Sequence, residues 1–151
     1  IPRRIPAERW TNGPKGSGRM GRYFTVGELC VSAVARMRGI DNTPPAWAED
    51  ALERLIENLL DPLRALWGGP LTVNSGYRSA ELNAAVGGAV RSRHLLGEAA
   101  DITAGSPAAN ARLFDLLLRS DLDFDQLIDE HGYGWLHVSW CGTNRRQVLH
   151  L

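Results

Sequence analysis

The sequence predicts an α+β fold in a single domain, with N-terminal helices packed on a small antiparallel sheet. Three observations carry this expectation. The chain has 151 residues, a length that suits one hydrophobic core rather than two. Apolar residues of the first half repeat at the three-to-four spacing of a helix. After residue 70 the period shortens, and the later strand patterns lie close together along the chain.

Residues 1–22 stand apart. Pro2, Pro6, Pro14, Gly13, Gly16, Gly18 and Gly21 interrupt them too often for a long helix or strand. They hold Arg3, Arg4, Arg9, Lys15, Arg19 and Arg22 against Glu8 alone, a net +5, and the remainder carries −5 because the chain sums to zero. A flexible basic extension over 1–22 and a folded domain over 23–151 are expected. Met20 offers a native start, which would make the residues before it an addition.

The first helix starts at Thr25-Val26-Gly27-Glu28, which has the form of a capping box, with Leu29, Val31, Val34 and Met37 facing inward until Gly39. A second follows Thr43-Pro44-Pro45 and packs Leu52, Leu55, Ile56, Leu59, Leu63 and Leu66 until Gly68-Gly69, with a kink or break at Pro62. Leu71–Asn74 reads as a strand, and Gly76 turns the chain into Tyr77-Arg78-Ser79. A short helix over 80–86 ends at Gly87-Gly88, and Ala99–Thr103 is a buried strand. Ser106-Pro107 opens a helix through Arg119 that packs Leu113, Phe114, Leu116 and Leu117. Strands Gln126–Glu130 and Trp135–Trp140 form a hairpin around residues 131–134, and Gln147–Leu151 adds an edge strand.

Several function classes fall away. No strongly basic body exists to track a phosphate backbone, so no nucleic-acid partner is expected. No apolar run approaches the roughly 18–20 residues of a membrane span. The N-terminus reads without the apolar core of an export signal. Cys30 and Cys141 are too few for a disulfide framework and read as buried, inert thiols. No apolar stripe is left over once the core is assigned, so a monomer is expected.

The chemistry gathers at His94, Asp101 and His137. Asp101 and His137 sit in apolar strands, where an ionised carboxylate is costly unless paired or bound to a cation. Two imidazoles and a carboxylate suit zinc, and three protein ligands leave a fourth position for a water whose pKa falls to roughly 7. Buried His and Asp also satisfy metal-free cores, so the residue types leave both readings open.

Residues 92–101 read Ser92-Arg93-His94-Leu95-Leu96-Gly97-Glu98-Ala99-Ala100-Asp101. This Ser-x-His-x-x-Gly-x-Ala-x-Asp pattern resembles the zinc D-alanyl-D-alanine carboxypeptidases, a family that includes related dipeptidases and phage endopeptidases acting on peptidoglycan peptides. Ser75-Gly76-Tyr77-Arg78-Ser79 and His137-Val138-Ser139 look like two further motifs of that family. The resemblance runs from about Tyr23 to Trp140. It implies a zinc site on the sheet with His94, Asp101 and His137 as ligands, and Arg78 as a substrate-binding and catalytic residue. Ser92 would contact substrate or hold the ligand loop, and Tyr77 and Trp135 would line the cleft or fill the core.

One departure concerns the base. Many relatives carry an acid three residues before the last His, and here that position is Gly134. If residues 131–134 form a four-residue hairpin loop, Glu130 shares a face with His137 and becomes the catalytic base. A one-residue slip nominates Asp129 instead. His131 is a third titratable group nearby, and His150 has no evident partner. The resemblance implies zinc-dependent cleavage of peptidoglycan stem peptides at the bacterial cell wall. Three activities stay open: carboxypeptidase, endopeptidase as in phage lysis enzymes, or a zinc-binding module without catalysis.

Overall fold

The Thr25 side chain accepts the Glu28 N–H at 3.1 Å and starts helix α1 (Val26–Leu29). The computed structural model describes residues 21–151, so the extension expected over 1–22 lies outside the described residues except for Gly21 and Arg22. The single helix expected up to Gly39 is broken. The Leu29 carbonyl accepts the Tyr77 N–H at 2.7 Å, and Ser32 caps a second helix, α2 (Ala33–Arg38). Val31 and Met37, expected on the packed face, are 61% and 85% exposed. A long-range backbone bond has displaced one more turn of local helix.

Helix α3 (Ala46–Leu55) runs through a π-helical turn (Ile56–Leu60) into α4 (Asp61–Trp67). The break foreseen at Pro62 takes this form. Pro62 has no N–H to donate, and the preceding turn widens so that the Asp61 N–H reaches the Ile56 carbonyl. The Asp61 carboxylate accepts the N–H groups of Arg22, Tyr23 and Phe24, tying the start of the described chain to α4.

Strands β1 (Thr72–Ser75), β2 (Ala99–Thr103), β3 (Gln126–Glu130), β4 (Trp135–Ser139) and β5 (Gln147–His150) form one sheet in the order β1-β2-β4-β3-β5. The first four are antiparallel, as expected, while β5 joins the edge parallel to β3 and makes the sheet mixed. Strand β4 ends beside the start of β3, so the connection over 140–146 rounds that end and β5 leaves in the direction of β3.

One sheet face is core. Ala100, Ile102, Leu127, Leu136 and Val138 are wholly buried and join Leu52, Leu59 and the α6 (Pro107–Arg119) residues Leu113 and Leu117. Each such leucine contributes roughly 1.5–3 kcal/mol through burial. The two-residue period then turns Asp101, Ile128, Glu130 and His137 to the opposite face. A 3₁₀ turn (Arg93–Leu96), packed against helix α5 (Ala80–Ala85), borders that face beside β2. Among the described residues no helix is long and apolar enough to cross a membrane. Burial, then the Glu49 carboxylate, push the Cys30 thiol up to about 11, and Cys141 is buried.

Candidate metal centre

Asp101 on β2 and His137 on β4 are direct cross-strand partners, which brings both side chains to one face. His137 Nδ1 lies 3.1 Å from Asp101 Oδ1. His94 enters from the 3₁₀ turn with Nε2 3.3 Å from the same oxygen, and the two imidazoles meet edge to face at 5.1 Å. One ligand atom from each of the three residues lies within 4.8 Å of the others. His94 and His137 are buried, and Asp101 is nearly so.

The tautomer of His94 tests whether a cation fits. Its Nδ1 lies 2.7 Å from the Gly76 carbonyl, and a carbonyl only accepts, so Nδ1 carries the proton. In the neutral ring Nε2 then presents a lone pair to Asp101 Oδ1, itself an acceptor. Two acceptors at 3.3 Å need a proton or a cation between them. Proteins commonly orient a metal-binding histidine through just such a carbonyl on its other nitrogen. Two imidazoles and a carboxylate are a donor set that suits zinc. Burial pushes the Asp101 carboxyl up, but His137 and His94 outweigh it and hold it well below the usual carboxylate range.

The small residues around His94 and Asp101 have packing reasons. Ser92 Oγ accepts the His94 N–H at 3.2 Å and caps the 3₁₀ turn. Gly97 ends the turn at φ +71°, against α3, where a Cβ would come within 2.7 Å of the Ala48 carbonyl. Ala99 and Ala100 are wholly buried. The Arg78 N–H donates to the His94 carbonyl at 3.1 Å, so the segments around residues 75–79 and 92–101 are one structural unit.

Arg78 donates from one terminal nitrogen to Asn83 Oδ1 at 3.1 Å, while its Nε–H is buried without a partner. Burial lowers its pKa, opposed by the Asp101 and Glu130 carboxylates. Two cavities meet at Arg78 and Asp101. One, about 610 Å³, is lined by His94, His137, Glu130 and four arginines. The other, about 360 Å³, lies along α2 and α5 and is lined by Val31, Val34, Tyr77, Leu82 and Val86.

The hairpin pairs Glu130 with Trp135 and Ile128 with His137, the register of a four-residue loop. Glu130 therefore shares the His137 face and the larger cavity. Asp129 faces the other way and is engaged there, accepting the Tyr133 N–H at 2.7 Å and bonding His150 Nδ1 at 2.7 Å. His131, at φ +52°, packs against Trp135 with centroids 4.8 Å apart and the rings tilted by 41°. The Trp135 indole N–H is buried without a partner, and Trp135 lines neither cavity.

Sequence reasoning missed the amides that brace this site. Asn42 donates to the Cys30 and Tyr77 carbonyls and accepts the Ser79 N–H, clamping the turn that presents Arg78. An Asn in a Pro-flanked loop reads only as a turn residue. Asn110, wholly buried in α6, donates to the Tyr133 and Gly134 carbonyls and accepts the Ala104 N–H. Its place on the 110/113/114/117 stripe was a usable signal, because a buried amide there must have partners.

A family model described as Peptidase M15 matches residues 22–139. Over 42 residues the chain is 55% identical to the zinc D-Ala-D-Ala carboxypeptidase of Streptomyces albus G, a stretch covering 28% of this chain and 16% of that protein. The match thus spans far less than two thirds of that relative's length.

Proposed function

The chain belongs to the peptidase M15 family, and on that premise we propose that it is a zinc metallopeptidase hydrolysing peptidoglycan stem peptides, of the D-Ala-D-Ala carboxypeptidase type. The observation that carries this reading is the facing pair of acceptors, His94 Nε2 and Asp101 Oδ1, with His137 beside them. The similarity to a zinc D-Ala-D-Ala carboxypeptidase supports the substrate class. The peptidase domain is residues 23–151, and it acts at the bacterial cell wall.

His94, Asp101 and His137 would hold zinc, which supplies Lewis acidity for acidifying a water and polarising a carbonyl. Arg78 binds substrate: Asn83 steadies one terminal nitrogen of its guanidinium, and the side chain lines both cavities, where its fork suits a carboxylate or carbonyl oxygen. The Glu130 carboxylate takes a proton from the attacking water and passes it to the leaving amine nitrogen. Ser92 holds the ligand turn, and Tyr77 lines the apolar arm of the cleft.

One observation favours an endopeptidase as the second reading. The cleft continues on both sides of Arg78 and Asp101, which is more room than a single terminal residue requires. Digestion of intact-stem and cross-linked muropeptides, read by mass spectrometry with chelated protein as blank, tests both. Chelator-sensitive loss of one alanine supports the carboxypeptidase. Split stems or cross-bridges support the endopeptidase. Untouched substrates with folded, zinc-loaded protein overturn the peptidase reading.

A further inference from the structure

Four arginines line the larger cavity, Arg78, Arg91, Arg93 and Arg145, against the carboxylates of Asp101 and Glu130. Two of the four are already neutralised. The buried Asp125 carboxylate receives Arg145 through two bonds, Nε to Oδ1 at 2.8 Å and a terminal nitrogen to Oδ2 at 2.9 Å. Arg93 pairs with Glu98 at 2.9 Å and lies 3.7 Å from Asp125. Arg78 is held by Asn83. Arg91 differs: among the described residues it has no hydrogen-bond or ion-pair partner.

Its backbone is nevertheless fixed. Ser92 N–H donates to the Ala89 carbonyl at 3.0 Å, closing a turn with Val90 and Arg91 at its tip, and Asn83 donates to the same carbonyl at 3.0 Å. A Cβ at Gly88 would overlap Asn83 and crowd Arg78, so the turn sits tightly on the amide that steadies Arg78. Arg91, exposed and unpaired, is thus carried by a braced turn on the wall of the cavity that holds Glu130 and His137.

We infer that Arg91 forms a second anion subsite, which takes a side-chain carboxylate of the peptide substrate away from the reacting bond. This rests on the peptidase reading and narrows it to acidic peptides. A guanidinium fork matches a carboxylate and discriminates against the isosteric amide, which carries no charge. Arg78 is left for the group at the reacting end.

The test uses two stem peptides identical except that the acidic residue bears a free carboxylate in one and a carboxamide in the other. Both keep the same C-terminus, so any contribution of Arg78 cancels. Binding to the full chain is measured by calorimetry at low and high salt, and turnover separately with zinc-loaded protein. The wild type is expected to bind the carboxylate peptide about tenfold more tightly at low salt, and less so at high salt. Arg91→Gln should remove that preference and leave affinity for the carboxamide peptide unchanged. Equal wild-type affinities, or an equal loss for both peptides in R91Q, overturn the subsite. Absence of turnover with preserved carboxylate preference overturns the peptidase reading alone.

Discussion

Gly76 and His94 are locked together: the Gly76 carbonyl receives the His94 Nδ1–H at 2.7 Å, while the Gly76 α-carbon presses on the Leu29 backbone. A Cβ at Gly76 would overlap the Leu29 carbonyl oxygen. Backbone closeness on one side therefore fixes which nitrogen of His94 faces Asp101 on the other.

Gly76→Ala should cost about 2 kcal/mol or more in urea unfolding, because the overlapping atom is backbone and cannot rotate away. Zinc affinity should fall about tenfold or more as the carbonyl shifts from His94, read by competition with a chromogenic chelator. Unchanged zinc affinity would mean the carbonyl does not orient the imidazole.

Asp101→Ala should abolish stoichiometric zinc uptake, measured by elemental analysis after dialysis. Both imidazoles face Asp101 Oδ1, so the variant removes the anionic ligand and the point on which the two rings converge. Full zinc occupancy in D101A would refute the proposed ligand set.

Glu130→Gln should lower kcat by about 10²–10⁴-fold while zinc content stays at the wild-type level. Asp129→Asn should behave in the opposite sense. Asp129 faces away from the cavity, and an amide there keeps the Tyr133 N–H bond but replaces the oxygen that meets His150 Nδ1, so the loss should fall on stability, about 1 kcal/mol, with kcat nearly kept. A kcat collapse in D129N with an active E130Q would reverse the assignment of the base.

The Arg145 hydrogen bonds lower the Asp125 carboxyl below its ordinary value, against the opposing effect of burial. A carboxyl whose folded pKa is depressed stabilises the fold above its unfolded value, about 3.9, and loses that contribution as pH falls through the folded value. The stability difference between wild type and Arg145→Met should therefore be full above about pH 4 and shrink in more acid solution. Its size should be small, since Arg145 is half exposed and water screens the pair. A pH-independent difference in urea melts would remove the ion pair from the account.

The hairpin shows what local pattern encodes. Loop length and strand alternation predict that Glu130 pairs with Trp135 and shares the His137 face, and the ladder has that register. The long helical repeat likewise held, with Pro62 accommodated by a π-helical turn. Periodicity failed where a distant group competed for a backbone bond. Nothing near Leu29 announces that Tyr77 will take its carbonyl, so the split between α1 and α2 and the exposure of Val31 and Met37 were invisible.

By itself the sequence determined the α+β order of elements and the alternation that sets Asp101 within β2 and His137 within β4 off from their apolar neighbours, while the motif around His94 implied a metal site through its resemblance to a family. The order of elements and the alternation within each strand are short-range, carried by residues a few positions apart. Tertiary structure alone decided the tautomer of His94, the parallel entry of β5, the engagement of Asp129 by His150, and the gathering of Arg78, Arg91, Arg93 and Arg145 around one cavity. Each depends on groups from separate segments meeting, and a backbone carbonyl or an exposed arginine leaves no periodic trace to say which distant partner it will find.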